Sequence, residues 1–204
     1  MSTPHDSLRN DAYIGPLIDR YGPLELEPAA DMFQRLVVSV LRQQVSMASA
    51  KATRERLFEA VEMTPESVIA ADREALRECG LSRQKSEYVH NIAEAFESKY
   101  DRAYFEALDD DDVIDELTTI KGVGEWTARM QLLFSLGRPD VFPVGDLGVR
   151  KGMRAIFDDE MSREEMVERA ERWKPYRSYA TLYLWRVDED VAEAVTEVVE
   201  SGDE

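Results

Sequence analysis

Leu117-Thr118-Thr119-Ile120-Lys121-Gly122-Val123-Gly124-Glu125-Trp126-Thr127-Ala128 is the stretch whose reading decides the fold. Two glycines one residue apart let the backbone turn sharply, with no Cβ to block a close approach. An apolar helical pattern precedes the turn, and another runs from about Gly124 to Leu136. The amides of such a turn and of the next helix's first turn point outward together. They bind an anion, and the helix dipole assists. Lys121 adds a positive charge. This suits a nucleic-acid phosphate gripped without reading sequence. Gly-x-Gly alone fits an ordinary tight turn equally well; the full string, with Trp-Thr-Ala after it, is more specific.

Outward from the hairpin the pattern is helical on both sides, with apolar residues three and four apart. The spacing predicts a helix over 31–43 with Phe33, Leu36, Val37, Val40 and Leu41 inward. Ser46 caps a second through Val61. Thr64-Pro65-Glu66 opens a short helix, and Ser82 caps one carrying Tyr88, Val89, Ile92, Ala95 and Phe96. Further helices are expected at Tyr104 to Leu108, from the Asp109–Asp112 run to Thr118, from Leu147 to Phe157, from the Ser162-x-x-Glu165 capping box to Trp173, and from Tyr176 to Val187. In the acidic tail, Val191, Ala194, Val195 and Val198 keep a stripe that can dock. No strand pattern, repeat or linker interrupts this, so the expected class is all-α.

Composition narrows the function. The chain has 204 residues, 44% hydrophobic, which suffices for a real core in one domain or two lobes. No apolar run approaches the roughly 20 residues of a membrane span, and the polar start has no secretory stretch, so a cytoplasmic protein with no membrane partner is expected. The single Cys79 excludes an intrachain disulfide, a four-cysteine metal site and an iron–sulfur cluster, and His5 and His90 offer no ligand spacing. No cofactor is expected.

A net charge of −17 opposes nucleic acid at first sight. The basic residues, however, sit in islands: 35–56, 117–154 and 169–186 carry net +4, +3 and +4, leaving −28 for the rest. Converging islands would make a basic face on an acidic body. Nineteen of the 25 basic residues are Arg, and abundant carboxylates with little Lys suggest a high-salt cytoplasm. Salt screening there would shift DNA affinity toward hairpin amides, stacking and shape.

The next segment after the hairpin helix is Val141-Phe142-Pro143-Val144-Gly145-Asp146-Leu147-Gly148-Val149-Arg150. By spacing alone Asp146 reads best as the cap of the helix starting at Leu147. The hairpin and this loop together resemble the helix-hairpin-helix DNA glycosylase superfamily, in which an aspartate about twenty residues past the hairpin is catalytic. Leu41-Arg42-Gln43-Gln44-Val45-Ser46, Gly80-Leu81-Ser82-Arg83-Gln84-Lys85 and Ala170-Glu171-Arg172-Trp173-Lys174-Pro175-Tyr176-Arg177-Ser178-Tyr179-Ala180 resemble its 3-methyladenine DNA glycosylase II branch. The resemblance covers roughly residues 31 to 186.

What the resemblance implies is concrete. Asp146 becomes the catalytic carboxylate, stabilising positive charge on the sugar as the N-glycosidic bond breaks. The base must be flipped from duplex DNA and stacked against aromatic faces, which attract a cationic alkylated purine. Trp126 and Trp185, with Tyr179 and Met130, would line that pocket, Met130 standing where a relative has an aromatic; Trp173 reads as core. Gln44 would fill the gap left by the flipped base, where relatives often carry an apolar wedge. Lys121, Gly122, Gly124, Thr127, Gln43 and Arg150 would contact DNA. The carbonyls of Thr118, Ile120 and Val123 would hold a structural monovalent cation. Members that also cut the backbone carry a nucleophilic lysine at the position of Trp126, so a monofunctional, monomeric enzyme is expected. Two lobes with a central cleft are implied, 31–137 with the hairpin 118–127 as one, 1–30 plus 138–204 as the other, and no N-terminal β domain. Three readings stay open beside it: a same-fold glycosylase for hypoxanthine, uracil or oxidised guanine, a non-catalytic hairpin DNA-binding protein, and an acidic helical protein that binds other proteins.

Overall fold

The computed structural model describes residues 3–200, without the side chains of Met47 and residues 190–200. Thirteen α-helices run through the described residues, and no strand occurs among them. In chain order they are Pro4–Leu8 (α1), Ile14–Tyr21 (α2), Met32–Leu41 (α3), Met47–Ala60 (α4), Pro65–Ala70 (α5), Arg73–Glu78 (α6), Arg83–Ser98 (α7), Arg102–Glu106 (α8), Asp110–Thr118 (α9), Glu125–Phe134 (α10), Leu147–Phe157 (α11), Arg163–Ala170 (α12) and Arg177–Glu200 (α13). The chain is all-α, as its periodicity predicts.

Local chemistry sets most helix starts. Asp31, Ser46, Thr64, Asp72, Ser82, Asp101, Asp109, Asp146 and Ser162 each accept a backbone N–H of the helix they open. Such a cap contributes about 1 kcal/mol. Several expectations need correction. The helix read at Tyr104 to Leu108 starts at Arg102, because Asp101 caps it through the Tyr104 N–H at 2.7 Å. The helix from Ser162 ends at Ala170 and closes with a 3-10 turn at Glu171–Trp173. The last helix begins at Arg177 and continues to Glu200, well past Val187. Helices α1, α2 and α6 were not anticipated. The expected apolar stripe of Val191, Ala194, Val195 and Val198 lies outside the described side chains.

The structure divides into two compact units, Pro28–Gly137 and the residues up to Glu27 together with those from Arg138 onward. The central unit holds α3 to α10. Leu36, Val37 and Val40 of α3 pack with Val89, Ile92 and Ala93 of α7 and Leu132 and Leu133 of α10, all buried. Buried Gln131 of α10 donates to Ser39 Oγ of α3 at 3.2 Å and accepts from Ser135 Oγ at 2.7 Å. A buried polar group so paired ties two helices together in one register.

In the other unit α11 packs along α13. Ile14, Ile18, Val149, Met153, Met166, Trp173, Ala180, Tyr183 and Leu184 form its core. Trp173 is core, as expected. Gly152 permits the close approach of the two helices: a Cβ there would lie 2.4 Å from the Leu184 carbonyl oxygen. The Tyr183 hydroxyl donates to Gly22 O at 2.9 Å and accepts the Leu24 N–H at 3.1 Å, closing the N-terminal segment onto α13.

Candidate functional site

One candidate site is the hairpin, in the unit Pro28–Gly137. Residues 119–124 join α9 to α10, with Gly122 at φ 110° and the Val123 N–H donating to Ile120 O at 2.9 Å. Gly122 is required twice over. Its φ suits glycine, and a Cβ would fall 2.3 Å from Cγ of Tyr88. Gly124 is different: it caps α10 without a side-chain hydrogen bond, and a Cβ there would meet nothing within 4 Å. The fold leaves open space where that side chain would go. Among the described residues, the N–H groups of Gly122, Gly124 and Thr127 find no acceptor. Three donors left in this way, at the N-terminus of a helix, are suited to an anion.

Helix α7 cradles this turn, a role the sequence did not disclose. The Tyr88 ring lies under Gly122, Asn91 Nδ2 donates to Lys121 O at 3.1 Å, and the Lys121 ammonium meets Glu87 Oε1 at 2.6 Å. The Lys121 hydrogen bond lowers the Glu87 carboxyl below its ordinary value, and Glu87 raises Lys121. Lys121 is therefore already engaged, and a phosphate must compete for it. Glu87, Tyr88 and Asn91 fall on one edge of the helix, which is the signal that could have found them.

The segment after α3 supports the turn from another direction. Gln43 Nε2 donates to Gly122 O at 3.1 Å, so this side chain braces the hairpin. Lys85 Nζ donates to Leu41 O at 2.7 Å at the end of α3, and burial pushes its pKa down. Gln44 sits at φ 57° and is exposed. A left-handed non-glycine residue carries strain of about 1–3 kcal/mol, held by its surroundings. Gln43, Gln44, Tyr88, Gly122, Gly124 and Trp126 line one open groove of about 640 Å³. Trp126 is 37% exposed there; Met130, one helical turn on, is 4% exposed. The carbonyls of Thr118, Ile120 and Val123 lie on the same hairpin.

A separate candidate site is the acid loop in the other unit. Asp146 caps α11 by accepting the Val149 N–H at 3.0 Å, and its backbone N–H returns to Pro143 O at 2.8 Å. The same Oδ1 accepts the indole N–H of Trp185 at 2.9 Å, across 39 residues of sequence. Gly148 makes room for that ring, since a Cβ would lie 2.8 Å from Trp185 Cδ1. Arg150 turns back on the loop and donates to Gly145 O at 2.6 Å and Val144 O at 3.2 Å. It props the Pro/Gly loop that carries Asp146. Trp185 is half-buried. Tyr179 is half-buried too, edge-on to His5 at 5.7 Å and Tyr176 at 6.2 Å, and burial raises its hydroxyl pKa.

The fold and these sites define a class: an all-helical protein with a glycine hairpin whose amides are suited to an anion and a carboxylate fixed on a helix cap. Residues 37–177 match the family described as HhH-GPD superfamily base excision DNA repair protein, and the chain belongs to that family. Among solved structures it resembles a DNA-3-methyladenine glycosidase from Bacillus halodurans, 34% identical, with a TM-score of 0.83 over 94% of this chain and 92% of that one. It also resembles a 3-methyladenine DNA glycosylase from Schizosaccharomyces pombe in complex with abasic DNA, 30% identical, with a TM-score of 0.80 over 90% and 95% of the two chains. A Bacillus subtilis relative, YfjP, is 29% identical over 76% of the chain, which spans 58% of that relative's length. Among the described residues no helix is long and apolar enough to cross a membrane.

Proposed function

We propose that the protein is a monofunctional DNA glycosylase that hydrolyses the N-glycosidic bond of alkylated bases of the 3-methyladenine type flipped out of duplex DNA. The observation that carries the reading is the Asp146 carboxylate, held by the Val149 and Trp185 N–H groups in a chain of a base excision repair family.

The chemistry follows from charge. As the bond to the base lengthens, positive charge grows on the sugar, and a carboxylate already fixed in place stabilises it without reorganising. Two donors on one oxygen fix the carboxylate's orientation. The alkylated base is cationic and leaves readily, so no strong general acid is needed. Water completes the hydrolysis at C1′.

Holding the DNA falls to the hairpin. The Gly122, Gly124 and Thr127 amides take a phosphate, with Lys121 released from Glu87 to assist. Gln44 occupies the gap in the stack, presented by its left-handed backbone, with Gln43 fixing that turn to the hairpin. Trp126 in one unit, and Trp185 with Tyr179 in the other, are the candidate aromatic faces for the extruded base, and Met130, one turn on from Trp126, is buried. The Thr118, Ile120 and Val123 carbonyls, neutral oxygens only, fit a monovalent cation that would stiffen the turn. Trp126 offers no amine for a Schiff base, so the product keeps an intact backbone at the abasic site.

Methylated duplex DNA incubated with the purified protein tests this. Free 3-methyladenine should appear, together with strand breaks only after alkali. DNA binding with no base release would favour a non-catalytic hairpin protein instead.

A further inference from the structure

We propose that Arg42, Lys51 and Arg54 form a second phosphate-binding track, one that takes the backbone of the undamaged strand. The inference rests on the proposed DNA reading and deepens it.

The three side chains line a groove of about 280 Å³ between the end of α3 and the first half of α4, floored by Val38, Leu41 and Ala50. Their charges are poorly answered. Among the described residues neither Arg42 nor Arg54 has a carboxylate within 4.0 Å, and Lys51 has only Glu55, at 3.9 Å. Elsewhere in the same unit some cations are closely paired, whereas Arg56, Arg73, Arg83 and Lys85 have no carboxylate within 4.0 Å among the described residues. Arg77, Lys99, Arg102, Lys121 and Arg129 each meet a carboxylate at 2.6–2.8 Å. In a chain with 42 acidic and 25 basic residues, carboxylates are abundant. Three cations gathered on one groove, answered only by the 3.9 Å Lys51–Glu55 pair, hold a local positive field, and half-buried Arg35 adds to it, its pKa lowered by burial and then by Arg42.

Position selects the ligand. Arg42 also lines the hairpin groove with Gln43, Gln44 and Gly122, so the two grooves join at Arg42. No hairpin residue lines the second one. A side chain inserted into a duplex at Gln44 has one strand on each side of it. With the hairpin amides on the strand that carries the lesion, the adjoining basic groove falls to its complement. Guanidinium groups suit phosphate oxygens through paired N–H donors, and the apolar floor takes the sugar edge.

The test compares wild type with the triple variant Arg42→Gln/Lys51→Gln/Arg54→Gln by fluorescence anisotropy on lesion duplexes across a salt series. A charge-matched control, Arg20→Gln/Arg73→Gln/Arg163→Gln, removes three exposed cations elsewhere. Each phosphate contact contributes about 0.9 to the slope of log affinity against log salt, so the groove variant should lose about 2–3 and the control less than about 1. Neutral methylphosphonates placed in the undamaged strand opposite the lesion should weaken wild type several-fold and leave the groove variant unaffected. Equal slopes for the two triple variants, or equal methylphosphonate sensitivity in groove variant and wild type, would overturn the track. Base release by wild type is measured alongside: failure there removes the glycosylase reading, whereas an unchanged slope with base release intact removes only the groove.

Discussion

Asp146 caps a helix and, in the proposed function, carries the catalysis, two roles that substitution separates. Its Oδ1 accepts the Val149 N–H at 3.0 Å, capping α11, and the Trp185 indole N–H at 2.9 Å. Asparagine keeps an oxygen in that position and caps helices about as well as aspartate, so Asp146→Asn should lie within about 0.5 kcal/mol of wild type in stability. Alanine removes the acceptor. The lost cap costs about 0.5–2 kcal/mol, and a half-buried indole N–H without its partner adds up to about 1. For a chain of this size that lowers the Tm by about 1–12 °C, against less than about 2 °C for asparagine. Excision follows a different order. Both changes remove the negative charge, so both should slow single-turnover base release by at least about a hundredfold, the scale of losing a main electrostatic stabiliser. Calorimetry and a quench assay for released base measure the two quantities on the same preparations. An asparagine enzyme that releases base at near wild-type rate, while alanine slows it only in step with lost stability, would leave Asp146 as a helix cap and nothing more.

Three further outcomes follow from the geometry. Gly122→Ala must place a Cβ against the Tyr88 ring at a φ of 110°, so Tm and DNA affinity should both fall, the former through about 1–3 kcal/mol or more of strain; Gly124→Ala meets no atom within 4 Å, and should leave the Tm within about 3 °C while weakening DNA binding in an anisotropy titration. If both variants bound DNA as wild type does, the hairpin would not be the phosphate grip. Glu87→Gln frees Lys121 from its 2.6 Å ion pair, and duplex affinity at low salt should rise about two- to fivefold, an advantage that fades at high salt. Glu116 accepts Lys99 at 2.6 Å and the Tyr100 and Tyr104 hydroxyls at 2.7 and 3.1 Å, which hold its carboxyl below 4.5. The unfolded chain then binds the proton more readily than the folded one, so the contribution is present above about pH 4.5 and vanishes as pH falls through the folded value. Thermal melts should show wild type above Glu116→Gln at pH 7 and the gap closing toward pH 3; a gap that persists unchanged would mean the network's ionic part is idle.

Helical class, most helix starts and the hairpin were legible in the residues, because each rests on local hydrogen bonding. Ser46, Thr64, Ser82, Asp109 and Ser162 cap the helices read from them. The same signals were present but unread at Thr3, Asp72 and Asp101, where short helices lack a long apolar stripe to draw attention. The tertiary structure alone decided which polar head meets which partner. Trp185 lies 39 residues from the carboxylate it holds, and Gln43 lies 79 from the carbonyl it braces. Arg150 has the charge of a DNA ligand, and the fold also turns it back to prop its own loop. Periodicity reports which face of a helix is apolar; it says nothing about which helix will lie across that face. Long polar side chains take their partners only after packing has set the distances, so the identity of the candidate chemistry was written locally and its geometry was not.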